Sequence, residues 1–137
     1  MFTNIVKSLG FAAIGSVCLI GSATAADMTG AQIKELLSGK SIYLENTATS
    51  TGGAGMGVIY YAADGSALFK TAKGTIQHGK WTIKDNTACV DWKEVPNNAC
   101  SKYDKTGDTI SVINTATGQS RGKILKTADG NAEKIAP

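Results

Sequence analysis

Residues 79–100, GKWTIKDNTACVDWKEVPNNAC, limit the possible folds more than any other stretch of the chain. From Lys80 to Lys84 polar and apolar residues alternate, and a period of two puts Trp81 and Ile83 on one face of a strand. Asp85-Asn86 follows, two residues that tolerate positive φ, as a two-residue hairpin turn demands. With those two as the turn, Lys84 faces Thr87, Ile83 faces Ala88, Trp81 faces Val90 and Lys80 faces Asp91. Trp81, Ile83, Ala88, Val90 and Trp92 then share one face, and Lys80 and Asp91 form an opposite-charge pair on the other. Cross-strand pairs of this kind contribute about 0.2–1 kcal/mol each. A turn one residue longer would scatter the apolar set over both faces. The same register leaves Cys89 on the outer face. Pro96 and Asn97-Asn98 bend the following loop so that Cys100 returns to Cys89.

A disulfide between those cysteines implies an oxidising compartment, and the start of the chain points the same way. Lys7 precedes an apolar run from Leu9 to Ile20 and the small-residue site Ala23-Thr24-Ala25. This reads as a secretory signal peptide over residues 1–25, cut after Ala25 or Ala26. The apolar run is shorter than the roughly 20 residues of a membrane span, so no span is expected after processing. Cys18 leaves with the leader, and Val17 before it lacks the small side chain that lipid attachment favours. Two cysteines remain, Cys89 and Cys100, an even count that reads as one disulfide. A zinc pair would need two further ligands, and His78 is the single histidine in 137 residues. The setting is therefore periplasmic or secreted, in a bacterium. A net charge of +3 from scattered lysines gives no basic stripe and no nucleic-acid signature.

The remaining segments read as short elements joined by tight turns. Thr29-Gly-Ala-Gln32 matches a capping box and starts a helix carrying Ile33, Leu36 and Leu37, with Gly39 as its left-handed end. Residues 40–45 form a strand. Residues 46–57, rich in Thr, Ser, Ala and Gly, form a loop that is either plain solvent-facing chain or a lid. In residues 58–70, Asp64-Gly65 reads as a two-residue turn that sets Tyr60 opposite Phe69, Ala62 opposite Ala67 and Val58 opposite Thr71. A short strand at 74–78 leads into the tryptophan hairpin, with His78 as an ordinary surface residue. Strands at 109–113 and 121–126 follow, and residues 127–137 form a polar tail expected to fray. The sum is a mainly β domain over 27–126. It is a small antiparallel β-barrel or sandwich of about eight strands, a lipocalin- or streptavidin-like meander with one short N-terminal helix.

No motif carries chemistry. There is no Gly-x-Ser-x-Gly elbow, no phosphate-binding Gly-Lys-Ser/Thr loop, and no histidine set for a catalytic triad. The glycines at 52, 53, 55 and 57 follow no apolar strand and open no helix. The aspartates at 64, 85, 104 and 108 occupy turns, where backbone geometry accounts for them. No catalytic residue, metal or cofactor is assigned.

The ordered combination of MTGAQIKELLSGK, YYAADGSALF and Gly-x-Trp-x-Ile, followed by Cys-x-x-Trp and a second Cys, resembles small secreted alphaproteobacterial proteins of unknown function. The resemblance runs from residue 28 to about 113, and that family offers no activity to transfer. A second resemblance, in architecture, is to periplasmic inhibitors of secreted metalloproteases. It implies a short helix, an eight-stranded barrel and one disulfide, with Trp81 through Cys89 as the comparable stretch. Those inhibitors insert a Ser-rich N-terminal segment into the protease, and Ala-Asp-Met-Thr at 26–29 differs from it. Two functions follow as expectations, both non-enzymatic. The first is a binding module holding a small apolar ligand between Tyr60, Phe69, Trp81 and Trp92, with the 46–57 loop as lid. The alternative is a protein-interaction module, an inhibitor or an envelope accessory, whose barrel is filled and whose surface carries an apolar patch.

Overall fold

A computed structural model describes residues 21, 24–96, 98 and 100–137. The expected leader, Cys18 included, lies outside the described residues except at 21, 24 and 25. The elements are β1 (Ala26–Asp27), α1 (Gly30–Leu37), β2 (Lys40–Asn46), β3 (Gly55–Tyr61), β4 (Ser66–Lys70), β5 (Ile76–Lys84), β6 (Thr87–Trp92), β7 (Ser101–Thr106), β8 (Thr109–Asn114) and β9 (Ser120–Asp129). Strands β2 to β9 pair in chain order, and β9 returns to β2, which closes an eight-stranded antiparallel barrel with β1 as an extra strand. Closure leaves the barrel strands without a long free edge.

The tryptophan hairpin takes the register its sequence implies: Lys84 with Thr87, Ile83 with Ala88, Trp81 with Val90 and Lys80 with Asp91. Asp85 carries the positive φ, at 53°. β5 runs unbroken from Ile76, so the short strand expected at 74–78 is the first part of this one. Gly79 lets β6 approach closely here: a Cβ there would meet the Trp92 ring and the Asp91 carbonyl oxygen, both at 2.8 Å.

The β3–β4 hairpin differs from the expected register by one residue. Tyr61 pairs with Ala67, Tyr60 with Leu68, Ile59 with Phe69 and Val58 with Lys70. The turn is longer than two residues. Ala62 N–H donates to Ser66 O (2.9 Å), Gly65 N–H donates to Ala62 O (3.1 Å), and Gly65 takes φ of 93°. This is a three-residue loop with glycine at its left-handed position. The Asp64 carboxylate accepts from both the backbone and hydroxyl of Ser66, which holds its pKa below the usual value. Because side chains alternate, the shift turns Ile59 and Tyr61 inward and Val58 and Tyr60 outward.

Two plugs close the barrel. At one end α1 buries Ile33 and Leu37, fixed by the capping box of Thr29 and Gln32 and by Asn86, whose Oδ1 accepts from Gly30 N–H at 2.9 Å. At the other end lies the loop 47–54. The Thr47 and Thr49 hydroxyls both donate to Ser120 O at 2.7 Å, and Gln77 Nε2 donates to Thr51 O at 3.3 Å.

The wall is uneven. β7 and β8 share six registered pairs, whereas β6 and β7 share one, Ala88 with Ser101. The Cys89–Cys100 disulfide joins the residues next to that pair. Farther along β7, where β6 has diverged, β1 takes its place, pairing Ala26 with Lys105 and Asp27 with Asp104.

The tail does not fray as expected. β9 extends to Asp129, and Ile135 is 4% exposed. Ser41 Oγ donates to Gly130 O (2.7 Å) and accepts from Ala132 N–H (3.0 Å), and Asn131 brackets Ile135 with two hydrogen bonds. The polar residues of this segment act as backbone partners that hold it on the outer face of β2.

Candidate functional site

Of the four aromatic residues expected to line a ligand pocket, three face inward. Phe69, Trp81 and Trp92 are buried, with Phe69 and Trp92 tilted against each other at 5.7 Å between ring centroids. Trp81 packs edge-on to Tyr61 at 5.5 Å and donates its indole N–H to Ala62 O at 2.9 Å. Tyr60 lies outside, half-buried beside Leu68, because of the one-residue shift in β3. Tyr61 takes the interior position.

The interior cavity measures about 40 Å³. Phe69 and Trp92 line it, together with Tyr61, Tyr103, Ser101 and Arg121; Trp81 does not. One water needs roughly 10–15 Å³ by this measure, so the space suits about three waters, whereas small-molecule sites span roughly 300–1,000 Å³. Burial pushes the Tyr61 hydroxyl well above the ordinary tyrosine range and Tyr103 up to about 12. The two hydroxyls also act on each other, raising Tyr61 and lowering Tyr103. Arg121 stands beside both, its pKa lowered by desolvation.

Sequence patterning missed Arg121 for a structural reason. Val112 pairs with Gly122 and Ile113 with Ser120, so Arg121 is the extra residue of a β-bulge that turns its side chain inward. The available signal was Gly122 inside an otherwise regular strand, where glycine often marks a bulge. Tyr103 was readable by alternation from Ser101, since both are buried on β7.

The outer face across β9, β2 and β3 is the second candidate. Among the described residues two large apolar side chains are exposed, Met56 at 55% and Leu125 at 45%, and both belong to this face. Met56 pairs with Glu45, and Val58 pairs with Tyr43. Leu125 sits at a second bulge, where β9 slips relative to Tyr43 and Leu44. Charges ring the apolar groups. Lys123 Nζ lies 3.2 Å from Glu45 Oε2, Lys126 Nζ lies 4.3 Å from the Tyr43 ring centroid, and Tyr43 donates its hydroxyl to Glu133 at 2.7 Å. That bond to a carboxylate raises the Tyr43 pKa. A groove of about 270 Å³ runs between Tyr43, Met56, Val58, Lys70 and Glu133.

His78 has a more specific role than an ordinary surface residue. Glu94 accepts its backbone N–H at 2.8 Å and meets its ring Nδ1 at 2.7 Å. These bonds, the backbone one foremost, hold the Glu94 carboxyl below its usual range. The pair clamps the loop after β6 to β5. Among the described residues no three His, Cys, Asp or Glu side chains are grouped to hold a metal, and no helix is long and apolar enough to cross a membrane.

Comparison with protein-family models, curated proteins and solved structures finds no match to this chain. The disulfide itself fits an oxidising, extracytoplasmic-type environment.

Proposed function

We propose that this protein is a non-enzymatic interaction module of the bacterial periplasm that holds a protein partner on the outer face of β9, β2 and β3. One observation carries the reading: Met56 and Leu125, the two large apolar side chains exposed among the described residues, lie on the same outer sheet face. An apolar centre ringed by Lys70, Lys123, Lys126, Glu45 and Glu133 has the make-up of a protein interface, with an apolar core and a polar rim. The interior supports this reading over a small apolar ligand, because about 40 Å³ accommodates no such molecule. An inhibitor that inserts its N-terminal segment is also less supported, since Ala26 and Asp27 are engaged in pairing with β7.

The test is site-specific photo-crosslinking in living cells. A photoreactive residue replaces Met56 in one strain and Thr82, an exposed residue of β5, in another. The expected result is a discrete protein adduct from position 56 that is absent at position 82 and lost when Leu125→Lys is added. Equal adducts at both positions, or an adduct indifferent to Leu125→Lys, would refute the assignment.

A further inference from the structure

We infer that the partner face has a second half, masked at rest: residues 130–137 form a strap over the outer side of β2, and the protein partner engages the whole face once the strap is displaced. The inference rests on the reading of that face as a protein interface and adds how access to it is controlled.

Ser41 marks what the strap covers. Ile42 and Leu44 belong to the interior cluster, so by alternation Ser41 and Tyr43 point outward. Ser41 is nevertheless 0% exposed. Its hydroxyl donates to Gly130 O at 2.7 Å and accepts from Ala132 N–H at 3.0 Å, so the strap lies directly over it. Ile135 is 4% exposed yet stands apart from the interior cluster, a plug on the outside of the wall. The strap also borders the apolar centre. Glu133 accepts from the Tyr43 hydroxyl and lines the same groove as Met56 and Val58. Undocking therefore joins the strip around Ser41, whose β3 partner is Tyr60, to the surface that carries Met56.

The strap can leave as a unit. β9 ends at Asp129, and Gly130 follows with φ of 67°, its N–H held by Gly39 O at 2.8 Å. Glycine adopts this conformation without strain, which suits a hinge. Among the described residues no strand pairing continues past it. The fastenings beyond are Ser41, the exposed Tyr43–Glu133 bond and the Ile135 plug. Other hydrogen bonds are internal to the strap: Asn131 Nδ2 donates to Ile135 O, Asn131 Oδ1 accepts from Ile135 N–H, and Lys134 N–H donates to Asn131 O. Lys134 takes φ of 49°, a left-handed conformation that is costly without glycine, so the docked segment stores strain. A segment held by few apolar contacts and peripheral bonds opens locally while the rest of the fold persists.

Two readouts on the full chain test this. In native-state hydrogen exchange, the Ala132 amide should exchange at least about 100-fold faster than the paired amides of β2 and β3. Photo-crosslinking from position 56 should give a several-fold higher adduct yield in Ile135→Asp than with Ile135 in place. If Ile135→Asp fails to fold, Asn131→Ala, which removes only the bracket around Ile135, decides by the same rise. An Ala132 amide that exchanges no faster than the barrel overturns the inference. So does an adduct yield that stays level or falls when the strap is loosened, although the adduct itself then upholds the interface. No adduct from position 56 in any variant refutes the interface, and the inference falls with it.

Discussion

Breaking the Cys89–Cys100 disulfide should loosen one seam of the barrel before any other. The bridge closes a loop with a sequence separation of 11. Chain entropy for a loop of that length gives about 3 kcal/mol of stabilisation, a large share of the roughly 5–15 kcal/mol typical of a whole domain. For a domain near this size each kcal/mol moves the thermal midpoint by about 4 °C, so a Cys89→Ser/Cys100→Ser protein should melt roughly 10–15 °C lower. The structure adds where the change falls, because among the described residues β6 and β7 share one registered backbone pair, with the disulfide beside it. Amide exchange in the double variant should rise first in β7 and the outer edge of β6, with β2, β3 and β9 following only at global unfolding. Circular dichroism melts and exchange mass spectrometry test both parts. A midpoint within about 2 °C of the oxidised protein, or exchange rising equally in all strands, would refute the view of this seam as the weak one.

High pH should unfold the protein through its buried tyrosines. Their folded pKa values lie above the unfolded value near 10, so the stability they contribute is complete below pH 10 and is lost as pH rises toward 12. Tyr103 alone accounts for about 3 kcal/mol across that window. Phenolate absorbance should show a step coincident with loss of the folded signal, smaller in Tyr103→Phe; full ionisation of a still-folded protein would contradict this. Ile135→Ala should cost about 2–4 kcal/mol in denaturant unfolding, while Leu125→Ala should change stability by less than about 0.5 kcal/mol. Equal effects would mean that the tail is not part of the folded unit.

The tryptophan hairpin was legible because two independent signals agreed, alternation over residues 80–84 and a turn pair at Asp85-Asn86. The capping box at Thr29 and Gln32 worked for the same reason: residue type and spacing both pointed to one geometry. At β3–β4 the signals did not decide. Asp64-Gly65 suits either a two-residue or a three-residue loop. The two adjacent tyrosines at 60 and 61 made both registers look equally apolar inside, and only the closed barrel chose Tyr61. Arg121 was hidden by its bulge, since alternation cannot follow a strand that contains an extra residue. Ile135 was hidden by its polar neighbours. Composition marked 127–137 as solvent-seeking, whereas Asn131, Glu133 and the backbone around them bond to β2 and to one another.

The pairing of β2 with β9 has a kinetic consequence. The first and last long strands of the chain are direct partners, joined over seven registered positions from Lys40–Asp129 to Asn46–Gly122. Contacts so far apart in sequence are slow to form, because the entropy of closing the intervening loop must be met before they contribute. A chain threaded into its compartment from the N-terminus can assemble β2 to β8 as a curling open sheet, but the edge of β2 stays bare until residues 120–129 arrive. That interval, when a strand carrying Ile42 and Leu44 has no partner on one side, is when a nascent molecule is most exposed to pairing with another chain.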